Sequence, residues 1–200
     1  MVIAALAYGV YRYRSQLGQA SSAASPANSV TDQPTAVSHP SAEWQMIDRT
    51  SDGFKVQMPG HASEVQVPAF TANGSQEPVE MLQSSPDSDT TFAVAWANHP
   101  PVEQASGDGA DKTLDMAREG ALSRTQATLM SESRSNRDGY PARDFTGQNA
   151  GGGVLNGRLI LAGSRLYMLI VTFPRANARR DEDVNRFFNS FSMTTAAQGR

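Results

Sequence analysis

Three histidines, His39, His61 and His99, are the side chains in this sequence best suited to acid–base or metal chemistry. His39 lies in a Ser/Pro-rich stretch. His61 directly follows Pro59-Gly60 and His99 directly precedes Pro100-Pro101, so both sit at loop edges. No His-x-x-x-His pair occurs and cysteine is absent, which removes thiolate catalysis, disulfides and cysteine-bearing zinc sites. A His61–His99 pair completed by a carboxylate is the one arrangement left for a metal or a hydrolase. Solvated loop histidines account for the same residues, and on that reading no metal ligand, cofactor or catalytic residue is expected.

The other signatures of chemistry fail on spacing. No Gly-x-Ser-x-Gly elbow is present, so the commonest serine-hydrolase nucleophile is missing. Gly151-Gly152-Gly153 does not open a Gly-x-Gly-x-x-Gly fingerprint, because Asn156 stands where the last glycine belongs, and no Gly-Lys-Ser/Thr follows any glycine-rich stretch. Those glycines read as a flexible joint. Asp87-x-Asp89 and Asp108-x-x-Asp111 lack the glycine and distal glutamate of a calcium loop and read as turn and cap residues. Asn73-Gly74-Ser75 fits a glycosylation acceptor and equally a hairpin turn.

What remains is arginine. Arg175, Arg179 and Arg180 form the densest basic cluster, suited to a carboxylate- or phosphate-bearing partner because guanidinium binds both bidentately. The plainer reading balances them against Asp181, Glu182 and Asp183. Arg143 is a further surface candidate, its plain role an ion pair at a sheet edge with Asp144 or Glu132. Trp96 and Tyr140 are the candidate lining of a pocket between the sheet and the first helix.

The elements that would position these residues centre on Gly157–Phe173. Leu159–Leu161 and Leu166–Phe173 are apolar runs flanking Gly163-Ser164, which suits a type II′ turn. The second run is apolar at both parities, as a central strand covered on both faces requires. Arg158 and Arg165 are expected at the strand ends, in contact with solvent. Before this hairpin, strands are expected at Trp44–Ile47, Phe54–Met58, Val65–Val67, Val79–Gln83 and Phe92–Trp96. A helix follows over Asp111–Gln126, capped by Asp111, then extended segments at Leu129–Arg134 and Tyr140–Thr146. Val184, Phe187, Phe188 and Phe191 form an i, i+3, i+4, i+7 stripe on a last helix. The pattern is α+β: an antiparallel sheet of about six or seven strands with two main helices packed on it.

The chain of 200 residues divides into an apolar segment 1–14, a Ser/Ala/Pro-rich linker 15–43, a globular domain 44–195 and a polar tail 196–200. Met1–Tyr11 spans roughly 16 Å as a helix against a hydrocarbon core of about 30 Å. It reads as part of a membrane anchor or a signal remnant, with a longer segment expected upstream. The stalk that follows favours a periplasmic or other extracytoplasmic domain, whereas Arg12 and Arg14 taken alone favour the cytoplasmic side. A net charge of −3 gives no reason to expect nucleic acid.

The globular part resembles uncharacterised bacterial domains of PsbP-like fold, usually membrane-anchored. The residues that carry the resemblance are Gly53-Phe54-Lys55-Val56-Gln57-Met58-Pro59-Gly60, Gly139-Tyr140-Pro141-Ala142-Arg143-Asp144, Arg158-Leu159-Ile160-Leu161, Arg165-Leu166-Tyr167-Met168-Leu169 and Arg186-Phe187-Phe188-Asn189-Ser190-Phe191. The resemblance implies a PsbP-like sandwich, no established catalysis, and a role as an assembly or binding factor; it carries no catalytic residue. The expectation is a membrane-tethered, non-enzymatic accessory or protein-interaction domain of the bacterial envelope, with an envelope protein as partner. The alternative is a small-ligand or lipid-binding domain with a pocket between sheet and helix.

Overall fold

The computed structural model describes residues 43–70, 76–87, 89–98 and 108–194. The segment 1–14, linker residues 15–42, His39, His99, Asn73-Gly74, Pro100-Pro101 and the tail 196–200 lie outside the described residues.

Seven strands form one antiparallel sheet in the order β3-β4-β5-β9-β8-β7-β6. They are β3 (Ser63–Phe70), β4 (Gln76–Ser84), β5 (Thr91–Asn98), β6 (Ala127–Arg137), β7 (Tyr140–Asn149), β8 (Val154–Ala162) and β9 (Arg165–Phe173). The order is two meanders, β3-β4-β5 and β6-β7-β8-β9, joined through their last strands. After β5 the chain passes through helix α1 (Asp108–Thr125) to the far edge, then returns strand by strand until β9 pairs with β5. That return puts the most apolar strand in the centre, as its two-sided pattern requires. The turn into it has a positive φ at Gly163 (+61°) and not at Ser164, as a type II′ turn demands. Asp138 (φ 52°) and Gly139 (φ 88°) make the left-handed pair of the β6–β7 turn.

Alternation along the strands divides the interior into two cores. On one face Leu155, Leu159, Leu161, Leu166, Met168 and Phe145 pack against Ala110, Leu114, Ala117, Ala121 and Leu122 of α1. On the other, Phe92, Val94, Trp96, Tyr167, Leu169 and Val171 pack against a second layer. That layer is a three-stranded sheet, β1-β2-β10, of Trp44–Arg49, Phe54–Pro59 and Ser192–Met193, with helix α2 (Asp181–Ser190) beside it. Val184, Phe187 and Phe188 bury the expected stripe of α2, with Phe191 partly buried beyond its end. Ser190 Oγ accepts from Gln57 N–H at 2.9 Å and donates to Phe187 C=O at 2.8 Å, tying α2 to β2. The fold class is α+β, as the sequence implies; the expected strands at Trp44–Ile47 and Phe54–Met58 pair in a second sheet, to which Ser192–Met193 adds a third strand.

Close approach of α1 depends on two glycines. A Cβ at Gly157 would lie 2.3 Å from the Phe145 ring, and one at Gly147 would lie 2.5 Å from Leu122. Phe145 and Gly157 are cross-strand partners, so the ring lies over the gap the missing side chain leaves.

Candidate functional site

Arg143 is not at the sheet edge. It stands on β7, the strand next to the edge strand β6, and its side chain is fully buried beneath α1. Its Nη2 donates to Asp111 Oδ1 at 2.6 Å, its Nη1 donates to Asp115, and Glu132 Oε1 lies at 3.4 Å. Glu132 is thus one of the expected partners, whereas Asp144 is not, because adjacent strand residues point to opposite faces. Asp144 instead receives Arg158 Nε and Nη2, both at 2.7 Å. Arg158 Nη1 also donates to Phe188 C=O at 2.9 Å, near the carbonyl end of α2. Arg158 is therefore mid-strand and buried rather than at a solvated end; Arg165, at the start of β9, is half-buried and donates to Asp52 C=O at 2.7 Å. The dipeptide Arg143-Asp144 fastens one helix to each face of the sheet. Asp111 lies inside α1, and its carboxylate serves Arg143 and Arg134 rather than an N-cap.

The Arg175–Arg180 cluster is partly neutralised within the domain. Arg179 pairs with Asp181 at 2.5 Å, and Arg180 reaches Asp87 at 2.8 Å and Asp183 at 3.0 Å; Arg175 is exposed. Burial alone would push the Asp87 carboxyl up, but N–H donors from Asp89 and Thr90 and the Arg180 guanidinium outweigh it, and its pKa is lowered. Arg180 thereby holds the segment before α2 to the β4–β5 turn. The four arginines do not form one surface: Arg143 belongs to the α1 interface. His61 is exposed, and among the described residues no group of three His, Asp or Glu side chains could hold a metal ion. Gly151–Gly153 is a closed turn rather than a loose joint, with Asn149 N–H donating to Gly153 C=O and Gly153 N–H to Asn149 Oδ1, at 2.9 and 2.8 Å.

Trp96 and Tyr140 both belong to the layer opposite α1. Trp96 packs on Phe54, ring centroids 5.0 Å apart, beneath the Arg49 guanidinium at 5.2 Å. Tyr167 fills the space beside them, its hydroxyl donating to Asp52 C=O at 3.0 Å, with burial pushing that hydroxyl's pKa up. Neither Trp96 nor Tyr140 faces the first helix.

A cavity of about 150 Å³ does lie between α1 and the sheet, built from other residues. Its floor follows the strand register: Met81 opposite Ala95, Ala95 opposite Met168, and Ala93 opposite Ile170. β5 sends Phe92, Val94 and Trp96 into the second layer but only Thr91 and alanines toward α1, and the helix answers with Ala121. Small side chains meeting across the layer leave the space. The buried lining is apolar, while Thr91, Thr125, Asn149 and Thr172 are half-exposed and supply its polar groups. Ile170, on the central strand, also remains half-exposed. The cavity is thus open to solvent on the side where α1 ends. The alternation Phe92-Ala93-Val94-Ala95-Trp96 is the sequence signal for it: large to one face, small to the other.

No family model matches the chain, and no curated protein matches it by sequence. Among solved structures, the solution structure of the cyanobacterial PsbP protein (CyanoP) from Synechocystis superposes with a TM-score of 0.53 at 12% identity, over 81% of this chain and 98% of that one. The fold is PsbP-like. A Pseudomonas aeruginosa protein of unknown function aligns at TM-score 0.33 and 14% identity over 68% of this chain and 86% of its own. A Bacteroides thetaiotaomicron protein aligns at 0.34 and 9%, over 71% of this chain and 45% of that one. Among the described residues no helix is long and apolar enough to cross a membrane.

Proposed function

We propose that this PsbP-like domain is a non-enzymatic accessory or protein-interaction module of the bacterial envelope. In this reading residues 1–14 attach it to a membrane, the linker 15–43 holds it on the periplasmic side, and its partner is an envelope protein rather than nucleic acid. What supports the reading is the whole-domain likeness to cyanobacterial PsbP, joined to the anchor-like composition of the N-terminal segment. Among the described residues, two surfaces suit a partner. Edge strand β6 is eleven residues long, and its β-bulge leaves Leu129 and Met130 exposed, at 38% and 62%. Arg175 marks the other, at the base of the last helix.

A photoreactive residue in place of Met130, Arg175 or the exposed Lys112, each in the full chain in cells, tests this reading. A defined adduct at 130 or 175 and none at 112, lost when the purified domain is added in excess to permeabilised cells, is the expected result. Equal or absent labelling at all three positions overturns it. Fractionation tests the tether: the full chain should sediment with membranes and a chain beginning at Ala42 should not.

The cavity under α1 favours a second reading, a small-ligand-binding domain. About 150 Å³ of mainly apolar space accommodates one benzene-sized molecule.

A further inference from the structure

We infer that the cavity between α1 and the central strands takes a small uncharged alkyl compound of about six carbons, such as a primary alcohol. This rests on the small-ligand reading and narrows it to one class. The floor, made by Met81, Ala93, Ala95, Met168 and Ile170, offers only carbon and thioether surface. Methionine adapts to ligand shape, so two of them facing a row of alanines suit a slender flexible chain better than a rigid polycycle.

The open side selects the head group. No charged side chain among the described residues lines the cavity, so none of them neutralises an ionised ligand there. Thr125 directs its hydroxyl back onto Ala121 C=O at 3.0 Å, and α1 ends there, so its carbonyl end faces the site. The partial negative charge of a helix C-terminus repels a carboxylate and accepts a hydrogen bond from a hydroxyl. Thr91 and Thr172, cross-strand partners at the same end, supply hydroxyls that both donate and accept. Alkyl chain inward and neutral hydroxyl outward is the orientation these groups favour.

The test uses the full chain with ¹³C-labelled methionine methyls, titrated with 1-pentanol, 1-hexanol and hexanoate. The methyls of Met81 and Met168 report from inside the cavity, and Met58, buried in the opposite layer, is the internal control. 1-Hexanol should shift Met81 and Met168 saturably and leave Met58 unmoved. 1-Pentanol should bind about fourfold more weakly, the value of one buried methylene, and hexanoate at least about tenfold more weakly, because its carboxylate must shed water beside the helix's carbonyl end with no cation to pair it. Ala95→Leu fills the floor and should abolish the hexanol response; Ala121→Val fills it from the helix side and keeps the test intact should the first variant fail to fold. Hexanoate binding as tightly as hexanol would overturn the ligand class while leaving the small-ligand reading in place. Shifts that do not saturate, that reach Met58 equally, or that survive both filling variants would overturn both.

Discussion

Arg143→Met removes a fully buried guanidinium while keeping an unbranched side chain beneath α1. Breaking a buried ion pair from one side costs about 3–5 kcal/mol, most of it the penalty on the partners left behind. Here those partners differ. Asp111 and Asp115 each keep 41% of their side-chain surface and can rehydrate, and Glu132, at 18%, retains Arg118. The wild-type arginine also carries an Nε that is buried without a partner, whose burial penalty methionine does not share. Both considerations place the loss at the lower limit, about 3 kcal/mol. That corresponds to a fall in Tm of roughly 6–12 °C for a domain of this size. Urea unfolding followed by circular dichroism should show a lower midpoint with an unchanged slope. Adding Asp111→Asn and Asp115→Asn to Arg143→Met should change stability by less than about 1 kcal/mol further, because both carboxylates are partly exposed and each keeps a second arginine, Arg134 or Arg118. A loss below about 1 kcal/mol in Arg143→Met would refute the claim that this network fixes α1 to the sheet.

Other consequences follow from local geometry. Gly157→Ala places a methyl within 2.3 Å of the Phe145 ring and should cost about 1–3 kcal/mol; Phe145→Leu in the same chain should return part of it, read by the urea midpoint. The lowered Asp87 pKa contributes stability above the unfolded carboxylate value, and that contribution disappears as pH falls through the folded one. Asp87→Asn should therefore melt below wild type at pH 6, with the gap closing as pH falls below the ordinary carboxylate value of about 4. The Asp48 carboxyl, lowered from 3.8 to about 2 chiefly by the hydrogen bond from Lys55, should titrate near 2 by carboxyl ¹³C NMR and move upward in Lys55→Gln. An unmoved midpoint would remove Lys55 as the cause.

The central hairpin was legible because two independent patterns agree on it. Leu166–Phe173 is apolar at both parities, and Gly163 supplies the positive φ its turn needs. The α2 stripe was legible for the same reason: Val184, Phe187 and Phe188 must face one way on any helix. Arg143 was misplaced because its sequence neighbour Asp144 looked like its partner, although strand alternation sends the two to opposite layers. A better signal was present in α1. Asp111 and Asp115, four residues apart on one helical face, repel each other unless a cation lies between them. Arg158 was expected at a strand end because the apolar run seemed to begin at Leu159. Strand β8 starts at Val154 instead, and Asn156 and Arg158 are carried into the second layer. The cavity was only half legible. The alanines of β5 announce a thin face, but whether thin becomes empty depends on where α1 crosses the sheet, and no local pattern in the sequence encodes that crossing.

In the proposed function the folded domain itself recognises a partner in the envelope, with residues 1–14 serving only to hold it there. In-cell crosslinking followed by affinity purification, run in parallel on the full chain and on a chain beginning at Ala42 that is exported to the same compartment, tests this most directly. The same envelope proteins are expected from both, in lower yield from the untethered chain. Recovery of partners by the full chain alone, or by neither, would contradict that reading.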